Sequence, residues 1–388
     1  MRRASSATAR APRWASLCAL GALGAAFALQ AACAASLTGV VYVDRNGDRV
    51  RQDDEPVVPD AVVMLDHGTA AARTDRRGVY SLDAPAGGAI VWVRVPAGFR
   101  PGPVWTRVGG NGDLPLTPLS AEEDARPLTF VVAADSHTTS GSGPWDGGDL
   151  ADAIDQALAL PDPPRFFTIV GDVTQANRAE EFRLVEEALA GVSVPWVPVA
   201  GNHDWYDGGR AWRARWGPDS YSFDVGDLHV IVWDTNLSED DQLAFFRADL
   251  AGVTPDTIVV ALGHASPSEA VADQLAALGV DYLFTGHWHA NRRVERTGLV
   301  EWGTQTLIMG TIDQSPAGYR IVTFAGGAPI VEHRARLVQP HLDVTAPHAG
   351  SCTPPGAPLD VLVSAALDAA APAVTARVDC GPELPLAS

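Results

Sequence analysis

The chain changes its rhythm of apolar and polar positions along its length, and the changes mark its organisation. Over residues 36–117, short apolar runs at Leu37–Val43, Ala61–Leu65, Gly78–Leu82 and Ile90–Val95 are separated by turn residues. Val-rich runs punctuated by Gly, Pro and Asp predict a small antiparallel β-domain. Gly109-Gly110-Asn111-Gly112-Asp113, followed by Pro115 and Pro118, reads as a linker. From 127 to 336, strand-like runs alternate with helical periods. Thr129–Ala134, Phe166–Val170 and Trp196–Ala200 read as strands, with helices over Asp149–Leu160 and Ala179–Leu189. A hairpin of Tyr221–Val225 and Leu228–Asp234 follows, then a helix over Glu239–Leu250 and strands at Thr257–Leu262 and Tyr282–Phe284. This alternation predicts an α/β domain on a largely buried sheet. The Pro- and Ala-rich residues 337–388 carry two further candidate strands, Leu359–Ser364 and Ala373–Val378, of a small β-unit.

Composition narrows the function. A length of 388 residues suits two or three domains. With 46% apolar and 19% charged residues the chain is globular rather than disordered. A net charge of −19 argues against nucleic-acid or anionic-membrane binding through bulk electrostatics. An anionic substrate would then need local positive charge, which bound metal can supply. The chain contains no lysine, so a Schiff-base lysine and a Gly-Lys-Ser/Thr phosphate loop are both excluded.

Residues 1–35 read as an export signal. Arg2, Arg3, Arg10 and Arg13 precede the Ala/Leu run Ala15–Ala32, and small residues Cys33-Ala34-Ala35 follow. Cleavage is expected near Ala34 or Ala35, with no stable membrane insertion afterwards. Two alternatives stand beside it. The run approaches the roughly 20 apolar residues of a membrane anchor, and Cys33 could be lipidated, although Gln30 stands where bacterial lipoprotein signals usually carry Leu. Cys18 and Cys33 belong to this segment. Cys352 and Cys380 are left as a pair, expected to form a disulfide in an oxidising compartment.

Five polar clusters directly follow apolar strands: Asp135-Ser136-His137, Gly171-Asp172, Gly201-Asn202-His203-Asp204, Gly263-His264 and Gly286-His287-Trp288-His289. Groups just past the carboxyl ends of strands in an open α/β sheet share one crevice. Several imidazoles and carboxylates should therefore converge there, a donor set suited to divalent metal. Glycines at these junctions tolerate sharp turns. In Asp-x-His and His-x-His, residues two apart on an extended backbone point to one side. His67, His229, His333, His341 and His348 are scattered and read as ordinary.

The ordered set Asp-x-His, Gly-Asp, Gly-Asn-His-Asp, Gly-His, Gly-His-x-His resembles the calcineurin-like metallophosphoesterases, nearest to their cyclic-nucleotide-phosphodiesterase-like branch. The resemblance spans 127–336. It implies an α/β fold of four layers, αββα, and a dinuclear centre hydrolysing a phosphomonoester or phosphodiester through a metal-bridging hydroxide. Carried over, Asp135, His137 and His289 hold one metal, Asn202, His264 and His287 the other, and Asp172 bridges them. His203 would stand near the leaving group, oriented by Asp204. Ligands without thiolate suit Mn, Fe, Zn or Co. Purple acid phosphatases place a metal-binding Tyr shortly after the Asp172 position, where this chain has Val173-Thr174-Gln175, so that branch is disfavoured. Of the neighbouring Trp205, Tyr206, Trp212, Trp216 and Trp288, the candidates for stacking on substrate are Trp205 and Trp288.

Asp44, Asn46, Asp48 and Glu55 fall at positions 1, 3, 5 and 12 of a calcium-loop template, with Arg49 at the sixth position in place of Gly. Pro59-x-Ala61-x-Val63, Thr74-Asp75-x-x-Gly78-x-Tyr80 and Pro96-Ala97-Gly98-Phe99 resemble the B-type β-sandwich domains of bacterial surface proteins, some of which bind calcium. The rival to an enzyme is a surface-binding protein with a metal-filled but inactive core. Neither Gly-x-Ser-x-Gly nor His-Glu-x-x-His occurs, which leaves a serine hydrolase or zincin without support.

Overall fold

A computed structural model describes residues 35–84, 88–141 and 146–336, together with short strands at 341–346, 362–366, 375–376 and 384–385. Residues 1–34 of the segment expected to direct export, Cys33 among them, together with Cys352 and Cys380, lie outside the described residues. Among the described residues no helix is long and apolar enough to cross a membrane.

Seven strands build the first region: β1 Ala35–Val43, β2 Val62–Leu65, β3 Ala70–Arg73, β4 Val79–Ala84, β5 Ile90–Val93, β6 Val104–Arg107 and β7 Leu114–Leu116. They form two sheets, β4-β1-β7 and β3-β2-β5-β6. The expected sandwich is present, with two corrections. The segment read as a linker contains β7, which pairs with β1 through Val41↔Leu114 and Val43↔Leu116. That pairing is parallel, so the sandwich is not purely antiparallel. The glycines there serve close approach rather than flexibility: a Cβ on Gly39 would lie 1.9 Å from the Gly112 carbonyl oxygen.

The second region follows α1 Ala121–Asp124. It runs β8 Leu128–Ala133, α2 Gly147–Leu158, β9 Phe167–Val170, α3 Ala179–Leu189, β10 Trp196–Val199, a 3-10 turn His203–Trp205, α4 Arg210–Arg215, β11 Tyr221–Val225 and β12 Leu228–Val232. It continues with α5 Glu239–Leu250, β13 Ile258–Leu262, α6 Glu269–Ala277, β14 Tyr282–Thr285, β15 Arg292–Arg296, β16 Leu299–Gly303, β17 Gly318–Phe324 and β18 Ile330–Ala335. One sheet has the order β10-β9-β8-β17-β18 and the other β11-β12-β13-β14-β16-β15. Alternation along β8 shows why the sheet is buried twice. Phe130 and Val132 enter the core shared with the second sheet. Val131 and Ala133 pack instead with Leu150 and Ile154 of α2 and Phe182 and Val185 of α3. Phe245 and Phe246 of α5 and Leu275 of α6 cover the second sheet. The layers are therefore α, β, β, α, as the resemblance implies.

The two regions share one hydrophobic core rather than meeting as separate bodies. Trp92 of β5 meets Phe245 of α5 edge-on, with centroids 6.3 Å apart. Val95 bridges to Phe223 of β11. A buried polar network crosses the same seam. Arg94 donates to the Asp249 carboxylate at 3.1 Å, Ser222 donates to it at 2.6 Å, and His229 Nε2 meets it at 2.7 Å. The other nitrogen of His229 lies 2.7 Å from Asp224. His229, read as ordinary in the sequence, is thus held between two carboxylates and beside Arg94.

Burial alone lowers the pKa of His229, but the bonds to Asp224 and Asp249 outweigh burial and the Arg94 charge, raising it above its ordinary 6.5. A group whose pKa is raised on folding stabilises fully below its unfolded pKa and loses that contribution as pH rises through the folded one. The melting midpoint should therefore fall, as pH rises from below 6.5 to above it, by more in the native chain than in His229→Gln. Parallel curves for the two proteins would show that His229 does not carry this dependence.

Candidate metal centre

All five polar clusters emerge at the carboxyl ends of strands: Asp135 after β8, Asp172 after β9, Asn202 after β10, His264 after β13 and His287 after β14. Their side chains meet. The His264 Nε2 atom lies 3.1 Å from Asp172 Oδ2, 3.1 Å from Asn202 Oδ1 and 3.2 Å from His287 Nδ1. On the other side, His137 Nε2 is 3.1 Å from His289 Nε2 and 3.6 Å from Asp172 Oδ2. His289 Nε2 is 3.4 Å from Asp135 Oδ1. Two sets of ligand atoms follow, Asp135 with His137 and His289, and Asp172 with His264 and His287. Asp172 also groups with His137 and His203, so it sits between the two sets.

The convergence does not arise from extended backbone, as the two-residue spacing suggests. Asp135, His137, Asp172, His287 and His289 have φ of 50°, 44°, 50°, 67° and 48°. They are half of the ten non-glycine residues with left-handed backbone among those described. Successive tight turns aim the ligands, and Asp and His are among the residue types that tolerate such turns best. The glycines beside them have a different use. Only Gly171 has positive φ, at 85°. A Cβ on Gly201 would lie 2.1 Å from the Asp172 amide nitrogen, and one on Gly286 2.6 Å from Asp135 Oδ2. Their missing side chains make room for the carboxylates.

Hydrogen bonds fix the rings. Val170 offers a carbonyl oxygen to His264 Nδ1 at 2.9 Å. A carbonyl only accepts, so the proton sits on Nδ1 and Nε2 faces the acceptor atoms around it. The His287 amide donates to both Asp135 oxygens, at 3.1 and 3.0 Å. Burial disfavours charge on both Asp172 and His264, yet their mutual attraction prevails. The Asp172 pKa falls to about 2, and that of His264 rises to about 9. Asp135, Asp172, His137 and His264 are buried. His137 Nδ1 is buried without a partner. A buried cluster of converging acceptor atoms, with one ring nitrogen left over, fits divalent cations.

His203 stands over this cluster, its ring 4.6 Å from that of His137. Its Nδ1 donates to the Gln175 carbonyl oxygen at 2.6 Å. Asp204 does not orient it, contrary to the sequence expectation. The Asp204 carboxylate instead accepts from the Val173 and Gly201 amides at 3.1 and 3.0 Å and from the Thr174 amide and hydroxyl at 2.7 Å each. Four inward donors turn Asp204 away from solvent and make it a tie between the loops bearing Asp172 and Asn202. Burial first, then the Asp172 charge, raise its pKa to about 6.

The aromatic candidates separate. Trp205 packs against Gly209, where a Cβ would lie 2.2 Å from the indole, and joins the core around α3. Trp288 is 48% exposed. Tyr206, passed over in favour of the tryptophans, is exposed, and its hydroxyl lies 3.0 Å from His203 Nδ1. Its place directly after His203-Asp204-Trp205 was the available signal.

In the N-terminal loop, the candidate calcium ligands are engaged by the loop itself. Asp44 accepts from the Gly47 and Arg49 amides, and Glu55 from those of Arg45 and Gln52. Asp48 accepts from the Val50 amide and from Asn46. Among the described residues, every group of three or more converging His, Cys, Asp or Glu ligands lies at the strand-end site.

Comparison with known proteins agrees with this geometry. The calcineurin-like phosphoesterase family profile matches residues 128–291. Purple acid phosphatase 18 of Arabidopsis thaliana is 30% identical over 230 residues, covering 49% of this chain and 49% of that protein. Human serine/threonine-protein phosphatase CPPED1 is 24% identical over 265 residues, covering 53% and 84%. The chain spans about half the length of the plant relatives it matches. Among solved structures, GAP50, the anchor in the inner membrane complex of Plasmodium, superposes with a TM-score of 0.41 at 15% identity over 54% of this chain and 84% of that one. Two of the matched relatives are named purple acid phosphatases, although this chain carries Val173-Thr174-Gln175 where that branch places a metal-binding Tyr. By sequence similarity, residues 128–291 form a calcineurin-like phosphoesterase domain.

Proposed function

We propose that this chain is an exported, metal-dependent hydrolase of a phosphomonoester or phosphodiester. The observation that carries the reading is the convergence of Asp135, His137 and His289 on one side of Asp172 and of Asn202, His264 and His287 on the other. In this reading the first three would hold one divalent cation and the second three another, with Asp172 available to both. When bound, such a pair supplies a hydroxide nucleophile near neutral pH and neutralises phosphoryl charge. Mn, Fe, Zn and Co all suit the donors. The Arg-rich start and the apolar run after it support export.

The chain's own groups do the rest. The Gln175 carbonyl holds the His203 proton on Nδ1 and leaves Nε2 as the nitrogen that reaches substrate. Protonated, Nε2 donates to the leaving oxygen and relieves charge developing there. Asp204 keeps the loops before and after it in register, so that Asp172 and Asn202 stay aimed at one space.

His203→Ala should keep its metal but lose turnover by about 10²–10⁴-fold. Elemental analysis beside steady-state kinetics checks this, and loss of metal together with rate would place His203 among the ligands instead. The reading as a whole is tested by screening purified, Mn-loaded protein against mono- and diester model compounds. Turnover that depends on metal is expected; none toward any ester, with metal bound, would favour the inactive-core alternative.

A further inference from the structure

Five large hydrophobic residues are exposed among those described: Val50, Tyr206, Trp288, Ile312 and Ile330. Three of them frame the metal centre. The Tyr206 hydroxyl touches His203. Trp288 lies between His287 and His289, its ring 5.8 Å from that of His287. The Ile312 amide donates to the His289 carbonyl oxygen at 3.0 Å. Scattered apolar residues need no explanation, but a group at the mouth of a polar site does.

Trp288 is also held in place. The Arg292 guanidinium stands 5.7 Å from its ring centroid. Arg292 is itself fixed, 3.2 Å from the Ser266 hydroxyl and 3.4 Å from the buried Glu301 carboxylate. The β16 backbone makes room for its stem, since a Cβ on Gly303 would lie 2.4 Å from Arg292 Cγ. Glu301 further accepts from Thr285 at 2.9 Å and Arg296 at 2.9 Å. A guanidinium paired in this way is committed to a carboxylate and an indole, so it is not free to clamp a phosphate. Its effect is to brace a half-exposed indole beside the ligands. A rigid aromatic surface offers contact area at little entropic cost.

We propose that Trp288, braced by Arg292 and Glu301 and flanked by Tyr206 and Ile312, binds the alcohol portion of the substrate, and that this portion carries a flat aromatic group. The inference rests on the phosphoesterase reading and names its substrate class. It accounts for an acidic chain recognising an anionic ester: the phosphoryl end is met at the metal ligands, and selectivity comes from stacking on an indole that carries no charge.

Two primary alkyl esters of similar leaving-group reactivity, 2-(1-naphthyl)ethyl phosphate and butyl phosphate, provide the test, with octyl phosphate as a third. On the Mn-loaded native protein, kcat/KM for the naphthyl ester should exceed that for the butyl ester by about tenfold, the size of one aromatic stacking contact. Trp288→Ala should shrink the ratio to about two, and Trp288→Phe should restore most of it. Calorimetric titration with the corresponding non-hydrolysable phosphonates should show the same order of Kd. Equal kcat/KM for naphthyl and butyl esters would overturn the proposal and leave the hydrolase reading intact. Octyl ahead of naphthyl would overturn it in favour of an alkyl-chain site. Selective phosphonate binding without turnover of any ester would support it while removing the hydrolase reading.

Discussion

Asp172→Ala is expected to lose bound metal and hydrolysis of an activated aryl phosphate together, with turnover down by about a thousandfold or more. The carboxylate meets His264 at 3.1 Å and His137 at 3.6 Å, and its other oxygen accepts from the His203 amide at 2.8 Å. Asp172 groups with ligand atoms on both sides, and its removal leaves Asp135, 3.9 Å from His137 Nε2 and 4.0 Å from His264 Nδ1, as the carboxylate facing the imidazoles. A thousandfold corresponds to about 4 kcal/mol, within what metal ions contribute to charge stabilisation in the transition state. Elemental analysis and initial rates on the same preparation measure both effects. Native-like rate in the variant would refute the ligand assignment.

The second large effect concerns stability. Asp249→Asn should destabilise the chain by about 3–5 kcal/mol, because it removes one partner of a fully buried ionic network. Arg94 and His229 would then face each other across the seam with only the partly exposed Asp224 to offset them. In a chain of this size the melting midpoint should drop by about 4–6 °C. Proteolysis should then find new sites near Val95 and Phe223, where the sandwich bridges to β11. A midpoint within a degree or two of the native value would mean that packing of Trp92 on Phe245 suffices to hold the seam.

The strands that carry the site were legible because each apolar run stops abruptly on Gly or a charged residue. The helix read over Ala179–Leu189 has the same bounds in the structure. The α6 helix, Glu269–Ala277, was missed although Ser268 caps it by accepting from the Val271 amide. Its apolar positions are mostly alanine, which gives little periodic contrast. The β7 strand was missed because a glycine-rich approach imitates a flexible linker. The candidate ligands followed from the order of the polar clusters and the family resemblance that order carries. The aim of those ligands did not, since left-handed backbone at Asp135 or His287 depends on what the neighbouring loops permit. Asp204 was misassigned for a related reason. Adjacency to His203 suggested a pair, while the 3-10 turn rotates its carboxylate inward to four donors. Glu301 carries no motif and emerges only from its contacts.

The left-handed conformation of five ligand residues sets which replacements can report on charge alone. Asparagine tolerates that conformation and has nearly the shape of aspartate, whereas valine or threonine at the same place would be forced from it. Asn at 135 or 172 therefore removes an electrical charge from an otherwise unaltered scaffold, while a β-branched residue there would deform the scaffold as well. Metal affinity compared between the two kinds of variant would divide what the cations owe to attraction from what they owe to a backbone already bent to receive them.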